Sequence, residues 1–270
     1  MANPRIKIDQ LSGGKGEFPE LLVTVPDSWP VIKLAPWYDV HHGHALHDTK
    51  LFKRHAKWFV NEPYVLGWNG GDFFENVVVG SPGQWSQSSI PDAQFADSLA
   101  ILKPMSDHLL FAIPGNHEAR TFRVSGFDIA RELAARVGIP YFPDYCFCTI
   151  RWRGLKFRIV AHHGTGAAAT PGGQRNAARK DMPWIGADLY WTGHLHQPIA
   201  DVVYRADFDQ RTDRMVSRAS VVVISPSYLR YFGGYGAAKR LGPGSLGISV
   251  AELHPDGNIE VNLHARGARI

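Results

Sequence analysis

Cysteine is scarce in this chain. Of 270 residues only Cys146 and Cys148 are cysteines, one residue apart. Residues two apart on a strand share a face, but a bond between them would be strained. The pair therefore reads as reduced thiols, which excludes a disulfide-stapled scaffold and predicts a cytoplasmic protein. No second cysteine pair is present to complete a zinc cage. Long apolar runs are also missing, and residues 1–16 are polar and basic without an apolar centre, so neither a membrane span nor a secretory leader is expected. Charge of one sign is nearly balanced: 29 Lys+Arg face 25 Asp+Glu, a net +4. That excess favours an anionic partner weakly and does not by itself imply nucleic acid. There is no internal repeat, coiled coil or low-complexity block. Neither a Cys-x5-Arg nor a Gly-x4-Gly-Lys motif occurs, so a covalent phospho-enzyme or a nucleotide-cradling P-loop is not expected.

Present instead is enough apolar content, 44%, for a sizeable core, read as one domain over 1–270. Within it, residues 1–30 form an N-terminal arm or hairpin around the Ser12–Gly16 turn. Antiparallel strands fill 200–270. Short apolar runs predict strands at 31–35, 64–68, 109–113, 145–150, 157–161 and 189–191, then at 202–204, 219–224, 247–253 and 259–263. Helical spacing predicts helices from Asp48 to Asn61, from Asp92 to Lys103, from Gly126 to Val137 with Ser125 as cap and Phe127 in its buried stripe, and from Gln174 to Lys180. The stretch 77–89, rich in Gly, Ser and Pro, reads as a loop near a site. Tyr228 to Tyr235 reads as a partner patch, a substrate-side loop or a dimer edge.

Histidine is abundant: thirteen, bunched at 41–55, 162–163 and 194–196. Clustered imidazoles are what a metal site produces. Five times an apolar strand ends directly in donor-type residues: Asp39/His41, Asp72/Glu75, Asn116/His117, His162/His163 and His194/His196. Ligands of open α/β sheets gather outside the carboxyl ends of strands, and five such ends are hard to explain as chance.

The ordered series Asp-x-His, Gly-Asp, Gly-Asn-His-Glu, His and Gly-His-x-His resembles the calcineurin-like metallophosphoesterase superfamily. The likeness spans Asp39 to His196, and Gly-Asn-His-Glu and Gly-His-x-His are its specific parts. The loop from His162 through Gly173 also looks like that of phage- and prophage-type members, which would place the chain in a bacterium or a phage-infected host. The resemblance implies a four-layer αββα sandwich of two mixed sheets flanked by helices. It also implies a binuclear centre with two divalent ions (Mn, Fe, Zn, Co or Ni, with Mn favoured in vitro) that hydrolyses phosphodiesters or phosphomonoesters by attack of a metal-activated hydroxide.

By position, Asp39, His41 and His196 would hold one ion, Asn116, His162 and His194 the other, and Asp72 would bridge. His162 and His163 compete for one place. His162 is favoured because the strand delivers it first, which leaves His163 either behind the ligands or facing substrate. His117 would be the non-ligand imidazole that protonates the leaving oxygen, oriented by Glu75. Protein phosphatases of the superfamily carry an Arg after that acid; here it is Asn76, so Arg120, Arg175 and Lys180 become the candidate phosphate grips. A DNA or RNA nuclease on the same scaffold, and a catalytically idle metal-binding interaction protein, are the alternatives. The partner is a phosphate ester, with nucleic acid and self-association open and no membrane.

Overall fold

The computed structural model describes residues 6–12, 16–81, 83, 85–238 and 241–263; residues 13–15 of the expected N-terminal turn and the end of the C-terminal segment, 264–270, lie outside them. In chain order the elements are β1 (Lys7–Gln10), β2 (Glu20–Thr24), β3 (Ile32–Leu34), α1 (Thr49–Asn61), β4 (Val65–Asn69), α2 (Pro91–Leu102), β5 (Leu109–Ala112), α3 (Glu118–Ser125), α4 (Ile129–Val137), β6 (Tyr145–Trp152), β7 (Leu155–His162), α5 (Pro171–Ala178), β8 (Leu189–Thr192), β9 (Ile199–Asp209), β10 (Arg214–Ile224), α6 (Tyr235–Ala238), β11 (Val250–Leu253) and β12 (Ile259–Asn262).

The strands form two mixed sheets, in the orders β1-β2-β6-β7-β8-β10-β9 and β12-β11-β3-β4-β5. Strand alternation assigns each side chain to a layer. Ile159 and Ala161 of β7, Leu189 and Trp191 of β8, and Val221 and Val223 of β10 point to the inter-sheet core, where they join Leu34, Leu66, Trp68 and Leu110. The residues between them, Val160, Tyr190 and Val222, face outward to Ala178 of α5. On the other outer face Val65, Leu109 and Ala35 pack under Phe52 and Phe59 of α1, Leu102 of α2 and Leu133 and Val137 of α4. The result is the four-layer α/β/β/α arrangement. Cys146 and Cys148 are free and buried in the inter-sheet layer.

Several local expectations are corrected. The helix expected from Gly126 to Val137 starts later, at Ile129, where Asp128 rather than Ser125 caps it by accepting the Arg131 N–H at 3.0 Å. Ser125 instead ends α3, a helix not expected from the sequence, which Gly126 stops with φ 70°. Phe127 falls in the joint and is about half exposed rather than buried. The C-terminal strands are not all antiparallel: β10 pairs antiparallel with β9 but parallel with β8. The basic helix begins earlier, at Pro171, where the Thr170 side chain caps it. Tyr228, read as part of a surface patch, is buried, with its hydroxyl 2.8 Å from His55 Nδ1.

Candidate metal centre

The carboxyl ends of β3, β4, β5, β7 and β8 open on one side of the sandwich. Turning the chain there while aiming donors inward demands unusual backbone. Of the nine non-glycine residues with positive φ among those described, five are Asp39, His41, Asp72, His194 and His196, at 49° to 66°. Such conformations are unfavourable for L-residues and cluster at functional sites. The motif glycines allow the strands to approach. A Cβ on Gly115 would stand 2.1 Å from Asp72 Oδ1, and one on Gly193 would stand 2.5 Å from Asp39 Oδ2. In each case a carboxylate lies where a side chain would otherwise be.

Two donor groups result. In the first, His41 Nε2 lies 3.2 Å from His196 Nε2, and His196 Nε2 is 3.3 Å from Asp39 Oδ1. In the second, His163 Nε2 is 3.3 Å from Asp72 Oδ2 and 3.2 Å from Asn116 Oδ1, and His194 stands beside it with ring centroids 5.3 Å apart. Asp72 Oδ2 joins the groups, because it is also 3.9 Å from His41 Nε2. The far side of each ring is anchored. His41 Nδ1–H donates to Glu75 Oε2 at 2.9 Å, His163 Nδ1–H to the Gly70 carbonyl at 3.0 Å, and His194 Nε2–H to the Gly166 carbonyl at 2.9 Å. These anchors fix which ring nitrogen of each imidazole faces the cluster.

The donor set fits divalent cations. Asp39 is fully buried, and its Oδ1 accepts no hydrogen bond even though His196 is near, so a charged oxygen is left open toward the cluster. Two imidazole nitrogens face each other at 3.2 Å. Buried charge without a partner is costly, and a cation between these groups satisfies both features. Asp39, His41 and His196 are close enough to hold one ion and Asp72, His163 and His194 another, and His41, Glu75 and His117 make a further such set that shares His41 with the first.

The protonation tendencies follow from the same crowding. Burial, together with the neighbouring His117, pulls the His41 pKa down to about 4, which favours the neutral ring. Burial works against the charged form of His163, yet the Asp72 and Asp39 carboxylates win and push it up to about 10. Burial would raise the Glu75 carboxyl, but the His41 hydrogen bond and the nearby imidazoles hold it down to about 2.

His162, expected as a ligand, is not in the cluster. Its Nε2 is 3.1 Å from Asp181 Oδ2 and its ring lies over Tyr145. The structure brings His163 there instead. The reason is strand parity: Ile159 and Ala161 face the inter-sheet layer, so the next residue on that side is 163. Alternation along β7 was the signal that identifies it.

The remaining expected residues divide. His117 sits at the start of α3 beside the cluster. Its main-chain N–H donates to Asp72 Oδ1 at 2.8 Å, and its Nε2 is 3.8 Å from Asp72 Oδ2. Its Nδ1–H donates to the Glu75 main-chain carbonyl at 2.7 Å, while the Glu75 carboxylate is 3.4 Å away and engaged with His41. Glu75 therefore orients two imidazoles, not one. Arg120 is adjacent, donating to His117 Nε2 and to the Glu75 carbonyl, both at 2.8 Å. Arg175 is paired with Asp201, 3.6 Å away, and half exposed. Lys180 lines a separate cleft of about 80 Å³ with His162, Tyr145 and Asp181. Asn76 donates to the His117 carbonyl at 2.7 Å, tying the β4 loop to α3.

Glu118 carries more than its sequence position suggested. It is buried, and its two oxygens accept the main-chain N–H groups of Gly115, Asp72 and Phe73, each at 2.8 Å. One carboxylate thus clamps the ends of β4 and β5 together.

The fold and the donor set define a class: a four-layer α/β/β/α protein with a cluster of carboxylates, imidazoles and one amide at the strand ends. No protein-family model matches the sequence, and no curated protein matches it. Solved structures do. A metallophosphoesterase from Sphaerobacter thermophilus is 14% identical over 88% of this chain and 89% of that one, with a TM-score of 0.44. The calcineurin-like phosphoesterase YfkN from Bacillus subtilis is 14% identical over 86% and 88%, at 0.39. Vps29 from Entamoeba histolytica, complexed with zinc, is 10% identical over 86% and 97%, at 0.37.

Proposed function

We propose that this chain is a divalent-metal-dependent phosphoesterase. The observation that carries the reading is the convergence of inward-facing imidazole nitrogens and an unsatisfied buried carboxylate oxygen at the strand ends. Asp39, His41 and His196 would hold one ion, and Asn116, His163 and His194 a second, with Asp72 shared. Nitrogen and oxygen donors in this mixture suit Mn, Fe, Zn, Co or Ni. When bound, such a pair supplies Lewis acidity toward phosphoryl oxygens and toward water.

The chain's own residues supply the rest. His117 is held by its main-chain N–H on Asp72 and its ring N–H on the Glu75 carbonyl, with its Nε2 3.8 Å from Asp72 Oδ2 and its ring beside that of His41. That is the place for a group that meets the leaving oxygen. Arg120 keeps a guanidinium against the same nitrogen and adds N–H donors for a phosphoryl oxygen. Arg175 and Lys180 have no part in this reading.

The test is metal analysis of protein purified without chelator, followed by a panel of aryl phosphate mono- and diesters. The expected result is about two ions per chain and hydrolysis that a chelator abolishes. An Asp72→Ala protein that keeps full, metal-dependent turnover would overturn the reading.

A further inference from the structure

The seven-stranded sheet ends in a long edge. β9 and β10 pair over eleven residues, from Asp209 opposite Arg214 to Ile199 opposite Ile224. β8 accompanies β10 only from Val221 to Ile224. Beyond that point the two strands run as a ribbon of two, which is marginal in water without a third strand or a packed face. One face of β9 carries Ala200, Val202, Tyr204, Ala206 and Phe208 in alternation. Tyr204 is 72% exposed, Phe208 67% and Met215, which lies across from Phe208, 54%. An exposed, apolar edge strand of this length is a template for further pairing.

The sequence of β9 says what pairs with it. In an antiparallel pairing of β9 with a second β9 about a two-fold axis at Ala206, residue 206 faces itself, 205 faces 207 and 204 faces 208. Arg205 then meets the partner's Asp207 and Tyr204 meets the partner's Phe208, and symmetry repeats both pairs. The small Ala206 falls where identical side chains must meet. The outer edge of β10 lacks this property. Its charged residues are Arg214 and Arg218, so self-pairing there brings like charges together. A β9 register centred on Val203 would need Asp201 for Arg205, but Asp201 is already held by Arg179 and flanked by Arg175. Asp207 is engaged only at the surface, 3.2 Å from Arg218, with both side chains about half exposed. Turning Arg205 outward, away from Gly186, is a change of rotamer.

We infer that the β9 edge is a self-association surface, through which two copies of this chain join their seven-stranded sheets by antiparallel β9 pairing centred on Ala206. The contact is small, in the lower part of the range of roughly 1,200–2,000 Å² of specific interfaces, so the dimer is expected to depend on concentration.

Sedimentation equilibrium of the purified full chain over a wide concentration range tests this. The expected result is a monomer–dimer equilibrium in the wild type. Arg205→Glu places two acidic groups opposite each other and should weaken dimerisation by at least about tenfold, with the circular dichroism and melting temperature of the monomer unchanged. Tyr204→Glu should do the same from the other face. Ala206→Cys should form a covalent dimer on mild oxidation, and Ala200→Cys should not, since in this register residue 200 does not meet its own copy; the native Cys146 and Cys148 are buried. Three outcomes overturn the inference: a monomer at every concentration, a dimer untouched by Arg205→Glu, or cross-linking through Val203→Cys in preference to Ala206→Cys.

Discussion

His162 and His163 are neighbours with opposite surroundings. One faces Asp181 on the outside of its sheet, and the other faces Asp72 in the donor cluster. His163→Ala should therefore lower bound metal from about two ions per chain toward one, measured by elemental analysis, while His162→Ala should leave the count unchanged. His117 contributes no atom to the two donor groups assigned above, so His117→Asn should keep both ions and lose turnover, read as metal content against initial rate on an aryl diester. Glu118→Gln is a third discriminating change. The amide has one oxygen for three main-chain donors, so at least one buried N–H loses its acceptor, and each such loss costs roughly 1–3 kcal/mol. Chemical denaturation should show that loss, with weaker metal binding because the Asp72 loop is no longer clamped. These roles were unevenly legible in the sequence. Asp39, His41, Asp72, Asn116, His194 and His196 follow apolar runs and could be read in order. Glu118 could not, because two of its three partners, Asp72 and Phe73, lie some 45 residues away and nothing local announces them.

At the scale of elements, caps and parity decide more than composition. Asp48 precedes α1 and accepts the Leu51 N–H at 3.0 Å. Burial would raise its carboxyl, but that hydrogen bond and Arg230 hold it below the usual carboxylate range. The sign follows from the lowered folded-state value. The stabilisation is present above the unfolded carboxyl pKa, near 3.9, and is lost as pH falls through the folded one. Asp48→Ala should cost about 1 kcal/mol at neutral pH, and the difference from wild type should shrink in melts carried out in acid. The helix around residues 118–137 shows the limit of periodicity. Apolar spacing suggests a helix from Gly126, yet Gly126, with φ 70°, ends an earlier helix, and the next begins only after the Asp128 cap. Strand pairing was likewise beyond local reading, since β10 is parallel to one neighbour and antiparallel to the other.

At the scale of the whole molecule, the two sheets are held by one apolar layer, and the donor cluster closes one end of it. Asp39 and Asp72 are both buried at that end, where each disfavours the other's charge, a cost that the proposed cations would offset. Removing metal should then lower stability of the whole chain. An ion present at 100 times its dissociation constant adds about 2.7 kcal/mol, so calorimetry should show a clear fall in melting temperature on chelation. Asp72→Ala should show a much smaller one. No helix among the described residues is long and apolar enough to cross a membrane.

By itself the sequence determined which stretches carry donor-type side chains and that these follow apolar runs, because apolar runs, glycines and polar side chains are local patterns in a chain of fixed order. Only the tertiary structure decided which of two adjacent imidazoles points to the cluster, that Glu75 serves His41 as well as His117, and that Glu118 joins two loops. Each of these depends on which face of a sheet becomes the interior and on contacts between distant segments, and those are set by the packing of the two sheets rather than by any single stretch of sequence.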